Sequence, residues 1–174
     1  MNRFVRLVIV SVIFSTSLLI GGPLETVAQP AQPQLVELPC AEKVSAQPLD
    51  RAEPAAADGH TLVFARLTIA PGGSLGPHTY PGTGVVTVES GIFGFTLLEE
   101  GEMTIHRAGT TGTPGAEEPV RMGKEVELTA GNWFMDTGMM HRVRGIGDEP
   151  VVSTFTGLVK AGSLLVCADD PSAG

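Results

Sequence analysis

From Thr61 onward no segment sustains apolar residues at the three-and-four spacing of a helix; what recurs is a short apolar or alternating run closed by a turn signal. Pro71-Gly72-Gly73, Ser90-Gly91, Glu100-Gly101, Ala130-Gly131 and Gly147-Asp148 supply the reversals, because glycine enters the positive-φ turns that hairpins prefer. The spacing predicts strands over 61–69, 84–89, 92–98, 102–107, 125–129, 133–135, 141–145 and 151–159, with a last one over 163–167. Eight or nine short strands over about 110 residues fit one all-β sandwich or barrel with room for a single core. The Thr-, Gly- and Pro-rich stretch 108–124 exceeds what a hairpin needs and reads as a loop insertion, either a lid or a free excursion.

The ends have other compositions. Arg3 and Arg6 precede an uncharged apolar run over 7–19, then Gly21-Gly22-Pro23 and the small residues around Ala28. This is a signal peptide pattern over 1–28, with cleavage expected after Ala28 and an uncleaved anchor as the competing reading. The folded part is expected outside the cytoplasm in either case, secreted or extracytoplasmic. Residues 29–58 carry Pro30, Pro33, Pro39, Pro48 and Pro54, too many for a helix or a central strand, so an extended arm is expected, with 35–38 as a candidate edge pairing. The barrel domain is expected over 59–168, followed by a tail over 169–174. In an oxidising compartment Cys40 and Cys167 are free to form a disulfide that ties both ends of the domain together.

Removing residues 1–28 changes the formal charge from 11 − 19 = −8 to 9 − 18 = −9, since Arg3, Arg6 and Glu25 leave. An acidic chain without a basic cluster argues against nucleic acid as a partner, and against a membrane surface once the signal is cleaved. No serine sits in a Gly-x-Ser-x-Gly elbow, which disfavours a nucleophilic hydrolase.

Two segments carry the candidate chemistry. The first runs Gly72, five residues, His78, Thr79, Tyr80, three residues, Gly84, six residues, Gly91. The second runs Gly131, four residues, Asp136, Thr137, Gly138, two residues, His141, three residues, Gly145. Together they resemble the two motifs of the cupin family over roughly 59–159, with Tyr80 where that family has a second histidine and Gly84 where it has a glutamate. The second segment is one residue short and lacks the family's proline and asparagine. The resemblance implies a cupin-type jelly-roll β-barrel, the double-stranded β-helix. It also implies a site on His78 and His141, with Tyr80 and Asp136 as tentative further metal ligands and one divalent transition metal, Fe, Mn, Ni or Cu, as the cofactor.

Three imidazoles and a carboxylate are the usual donor set of such a centre, and two of the four are replaced here. Tyrosine holds its proton to about pH 10, so Tyr80 is a weak substitute ligand and a better hydrogen donor to a small molecule. His106 shares a strand face with Thr104, opposite Met103 and Ile105, and is with Trp133 and Tyr80 a candidate ligand-binding residue. His60 sits in a turn, where an incidental role is the default. Met135, Met139 and Met140 crowd His141, as a copper(I) site would, but methionine is more often adaptable packing. The expectation is a small-molecule-binding barrel with a degenerate metal site. A metal-dependent oxygenase or isomerase and a plugged structural module are the rivals, and edge pairing into a homodimer is the expected assembly.

Overall fold

The computed structural model describes residues 35–163 and 165–168; the signal segment and the tail expected over 169–174 lie outside the described residues. Eleven antiparallel strands follow in chain order: β1 Ala41–Ala52, β2 His60–Thr79, β3 Gly82–Ser90, β4 Ile92–Leu97, β5 Thr104–His106, β6 Glu117–Pro119, β7 Glu125–Leu128, β8 Trp133–Asp136, β9 His141–Ile146, β10 Val151–Lys160 and β11 Val166–Cys167. Nine of them form one hydrogen-bonded path, β6-β5-β8-β3-β10-β2-β9-β4-β7, with β1 and β11 added beside β2. Strand β10 shows the expected period: Val151, Ser153, Phe155, Gly157 and Val159 are buried, while the residues between them face outward.

Strand β2 joins the two halves of the path. Its residues 60–69 pair with β10, and from Ser74 to His78 it pairs with β9, while β1 keeps to its opposite edge from Leu62 to Leu75. The change of partner falls at Pro71-Gly72-Gly73, which bends the strand where a chain-reversing turn was expected. A Cβ on Gly73 would lie 2.8 Å from the Lys43 carbonyl oxygen, so glycine is what allows β1 and β2 to stay together through the bend.

The path closes on itself. Phe95 of β4 and Phe134 of β8 are five pairings apart along it, yet their ring centroids are 4.7 Å apart in the core. Ile69, Leu75, Leu97 and Ile105 complete that fully buried interior. The fold is the all-β cupin-type jelly roll.

The proline-rich arm is more regular than expected, because 41–52 is a twelve-residue strand. Pro48 fits there for two reasons: β1 lies at the edge beside β2, and the register shifts between Pro48 and Asp50. Val36, from the expected 35–38 pairing, bridges to Ala46. The stretch 108–124 holds the short strand β6 against β5 and a tight bridge between Thr110 and Thr113. Cys40 and Cys167 are joined in a disulfide across 127 residues of chain. No helix of the described residues is long and apolar enough to cross a membrane.

Candidate functional site

His78 of β2 and His141 of β9 are cross-strand partners, with ring centroids 4.3 Å apart and side chains 1% and 2% exposed. Each ring is aimed by the backbone two residues before it. His78 Nδ1–H donates to Gly76 O at 2.7 Å and His141 Nδ1–H to Met139 O at 2.8 Å. A carbonyl only accepts, so both protons reside on Nδ1 and both Nε2 atoms enter the barrel as acceptors.

Asp136 joins them from the end of β8. Its carboxylate is fully buried, Oδ1 accepts the Gly138 N–H at 2.8 Å, and Oδ2 lies 3.8 Å from His141 Nε2. The turn that delivers it is latched to the first segment: Thr83 Oγ1 donates to Asp136 O at 2.9 Å and Thr79 Oγ1 donates to Gly138 O. Gly138 has φ +87°, and a Cβ there would lie 2.9 Å from Tyr80 O. Only glycine meets both demands.

Burial sets the protonation. Desolvation, reinforced by the neighbouring His141, holds His78 down to about 3, and burial holds His141 down to about 4. Burial lifts Asp136 to about 6 against the Gly138 N–H, and pushes the Tyr80 phenol well above its ordinary value, with the Asp136 charge adding to it. At pH 7 the cluster is therefore two neutral imidazoles, a carboxylate and a protonated phenol. His78 Nε2 and Asp136 Oδ2 have no hydrogen-bond partner among the described residues.

These shifts give a signed expectation. Between pH 6.5 and about 3 the unfolded chain takes up protons on the two histidines that the folded chain refuses, so stability falls as pH falls. Asp136 opposes this from about 6 down to 3.8, where the folded chain holds a proton that the unfolded chain lacks. Two groups outweigh one. Thermal unfolding midpoints should drop from pH 7 to pH 4, and Asp136→Asn should steepen the drop; a midpoint that rises on acidification contradicts the assignment.

The space into which a side chain at Gly84 would project is filled by an aromatic ring. Gly84 of β3 and Gly157 of β10 are cross-strand partners, and a Cβ on either would meet the Phe155 ring, at 2.4 Å and 2.3 Å. Tyr80 stacks on that ring with centroids 4.6 Å apart and planes 14° from parallel. Its other neighbours are His78 and His141, with ring centroids at 5.4 Å and 5.9 Å. His141 also stacks on Phe95 of the core, with centroids 5.0 Å apart, so Tyr80 covers only one side of the pair. Among the described residues no three His, Cys, Asp or Glu side chains form a group able to hold a metal ion. Two imidazoles with Asp136 alongside do not fit a four-donor centre.

Beyond Tyr80 and Phe155 lies a cavity of about 60 Å³, lined mainly by apolar side chains, Val63, Ala65 and Leu67 of β2, Val86 of β3, and Leu38 and Leu165 from the two disulfide-joined ends, with Arg66 and Ser153 as its polar members. Ala46, Val63 and Ala65 also line an adjoining groove of about 310 Å³, whose walls include Val36, Pro48 and Val159. Protein interiors seldom leave such space unfilled.

The structure brings His78, His141, Tyr80 and Asp136 together and leaves His106 and Trp133 apart. Those two stack on each other at 3.8 Å and 7°, on the face opposite buried Ile105 and Phe134, with His106 Nδ1 3.6 Å from Glu117. They do not line the cavity with Tyr80. Phe155 was not anticipated. The signal was two glycines inside apolar strands, Gly84 and Gly157, since a strand glycine often marks a close approach.

No family model matches the sequence, and comparison with curated proteins finds no match. Solved structures do resemble it. The polyketide cyclase RemF from Streptomyces resistomycificus aligns at 19% identity over 80% of this chain and 84% of that one, with a TM-score of 0.44. A cupin superfamily protein from Desulfitobacterium hafniense aligns at 14% identity over 67% and 77%, with a TM-score of 0.43. The Lactobacillus farciminis oxalate decarboxylase formate complex aligns at 13% identity over 78% of this chain, which spans 33% of that protein, with a TM-score of 0.48. These are likenesses of fold, in keeping with the all-β barrel described above.

Proposed function

We propose that this chain is an exported cupin-fold protein that binds a small molecule in its barrel, with a degenerate metal site. One observation carries the reading: the Tyr80–Phe155 stack fills the Gly84–Gly157 recess where a ligand carboxylate would project, and its far side lines an apolar cavity. Export is supported by the charged and apolar pattern of residues 1–28 and by the disulfide.

A metal-dependent oxygenase or isomerase is the second reading. It is favoured by the buried acceptors His78 Nε2 and Asp136 Oδ2, which have no donor to meet.

Elemental analysis of protein purified without chelator separates the two, alongside native mass spectrometry and a His78→Ala/His141→Ala variant. We expect transition metal far below one per chain and an organic molecule retained by the barrel. Close to one metal per chain, lost in the variant while the fold survives, would overturn the proposal in favour of the enzyme. Neither metal nor retained molecule would leave a barrel plugged by its own side chains.

A further inference from the structure

We infer that the ligand is an amphipathic carboxylic acid, its apolar tail running inward along the groove to the Tyr80–Phe155 stack and its carboxylate held at the groove mouth by Arg51 and Lys160. The inference deepens the small-molecule reading by naming a chemical class.

The groove and the inner cavity share Ala46, Val63 and Ala65, so one apolar surface runs from the outside of the barrel to the stacked rings. At about 310 Å³ the outer groove reaches the lower end of small-molecule sites, and its walls are mainly aliphatic. A chain of methylenes matches such walls, whereas a polar body would lose its hydration there without replacement.

The inner end is wrong for an anion. Of the polar side chains that line the cavity, Arg66 is already held by Glu89, its Nε and Nη2 donating to the two carboxylate oxygens at 3.2 and 3.3 Å, which leaves a carboxylate only the Tyr80 and Ser153 hydroxyls as donors. The mouth is different. Arg51 and Lys160 both line it, and neither makes an ion pair among the described residues. Asp50 is the one acid of the mouth, and its Oδ1 accepts the backbone N–H of Arg51. Two unpaired cations on a chain of formal charge −8 make a local site for one negative head group. The tail-in, head-out orientation follows from these two ends together.

The test is isothermal titration of the full mature protein with decanoate and with decan-1-ol, a neutral probe of the same length. We expect one saturable decanoate site, weakened about tenfold in Arg51→Gln/Lys160→Gln with decanol binding unchanged, because removing a charge partner at a surface rim costs about that factor at most. Ala46→Phe, which fills the groove from edge strand β1, should abolish binding of both probes; Ala65→Leu provides a second filling variant if the first does not fold. Decanoate and decanol binding equally, with no effect of the Arg51/Lys160 change, would overturn the acid assignment. Binding of neither, with the protein dimeric in light scattering, would give the groove to a second copy and also overturn it. A polar molecule seen by native mass spectrometry while both probes fail would sink this inference and leave the small-molecule reading standing.

Discussion

Replacing Cys40 and Cys167 by serine should lower stability by about 2 to 5 kcal/mol, a drop of roughly 10 to 20 °C in melting temperature for a domain of this size. The loop that the bridge closes spans 127 residues, close to the whole folded part, so the unfolded chain gains nearly its full freedom when the bond is removed. There is also a local effect. Cys167 is the cross-strand partner of His78, Gly76 N–H donates to Cys40 O at 2.8 Å, and Ala168 N–H donates to Pro77 O at 2.9 Å. Both flanks of the bond clamp the segment whose Gly76 carbonyl aims His78. Hydrogen exchange at the Gly76 and Ala168 amides should accelerate far more than in β4. A melting shift under a few degrees, or uniform acceleration, would show that the bridge is neither the main staple nor the clamp.

Gly84→Ala should be destabilising by about 1 to 3 kcal/mol, as overpacked cores are, and Phe155→Ala by about 3 to 5 kcal/mol. The informative quantity is the double variant. A β-carbon at Gly84 would meet the Phe155 ring at 2.4 Å and Gly157 Cα at 2.9 Å, so removing the ring removes the closer of the two clashes, and the double variant should cost less than the sum of the two single changes by about 1 kcal/mol. Denaturant unfolding of the three variants measures this directly. Strict additivity would mean that the ring does not occupy the recess in solution, and that the place of the absent carboxylate is open.

The strand pattern from Thr61 to Val159 was legible because buried and exposed residues alternate locally, and β10 keeps that alternation over its whole length. The edge strand β1 was not, because five prolines over 30–54 read as a veto on strand structure when only Pro48 falls within it, at a register shift. His78 and His141 were singled out by the resemblance of their segments to the cupin motifs, while their pairing across β2 and β9 took the register of those strands to see. Tyr80 was visible as a candidate ligand of the first segment, yet its stacking partner Phe155 lies 75 positions away in sequence, and only the register of β3 against β10 brings Gly84, Gly157 and that ring together. Asp136 was visible as a residue near His141, but its burial and its Gly138 N–H partner depend on a latch from Thr79 and Thr83. His106 and Trp133 share a face of their strands, which alternation alone could not assign to the inside or the outside.

Strand β2 bears on how the molecule comes into being. Every strand it pairs with downstream, β9, β10 and β11, begins at least 60 residues after β2 ends, so emergence of the first half from the ribosome offers β1 alone as a partner. Pairings this distant close slowly, over milliseconds to seconds rather than microseconds. A chain that stays unfolded until its last third is available keeps its apolar strands uncovered for most of its synthesis, and its exposure to aggregation ends only when β10 arrives.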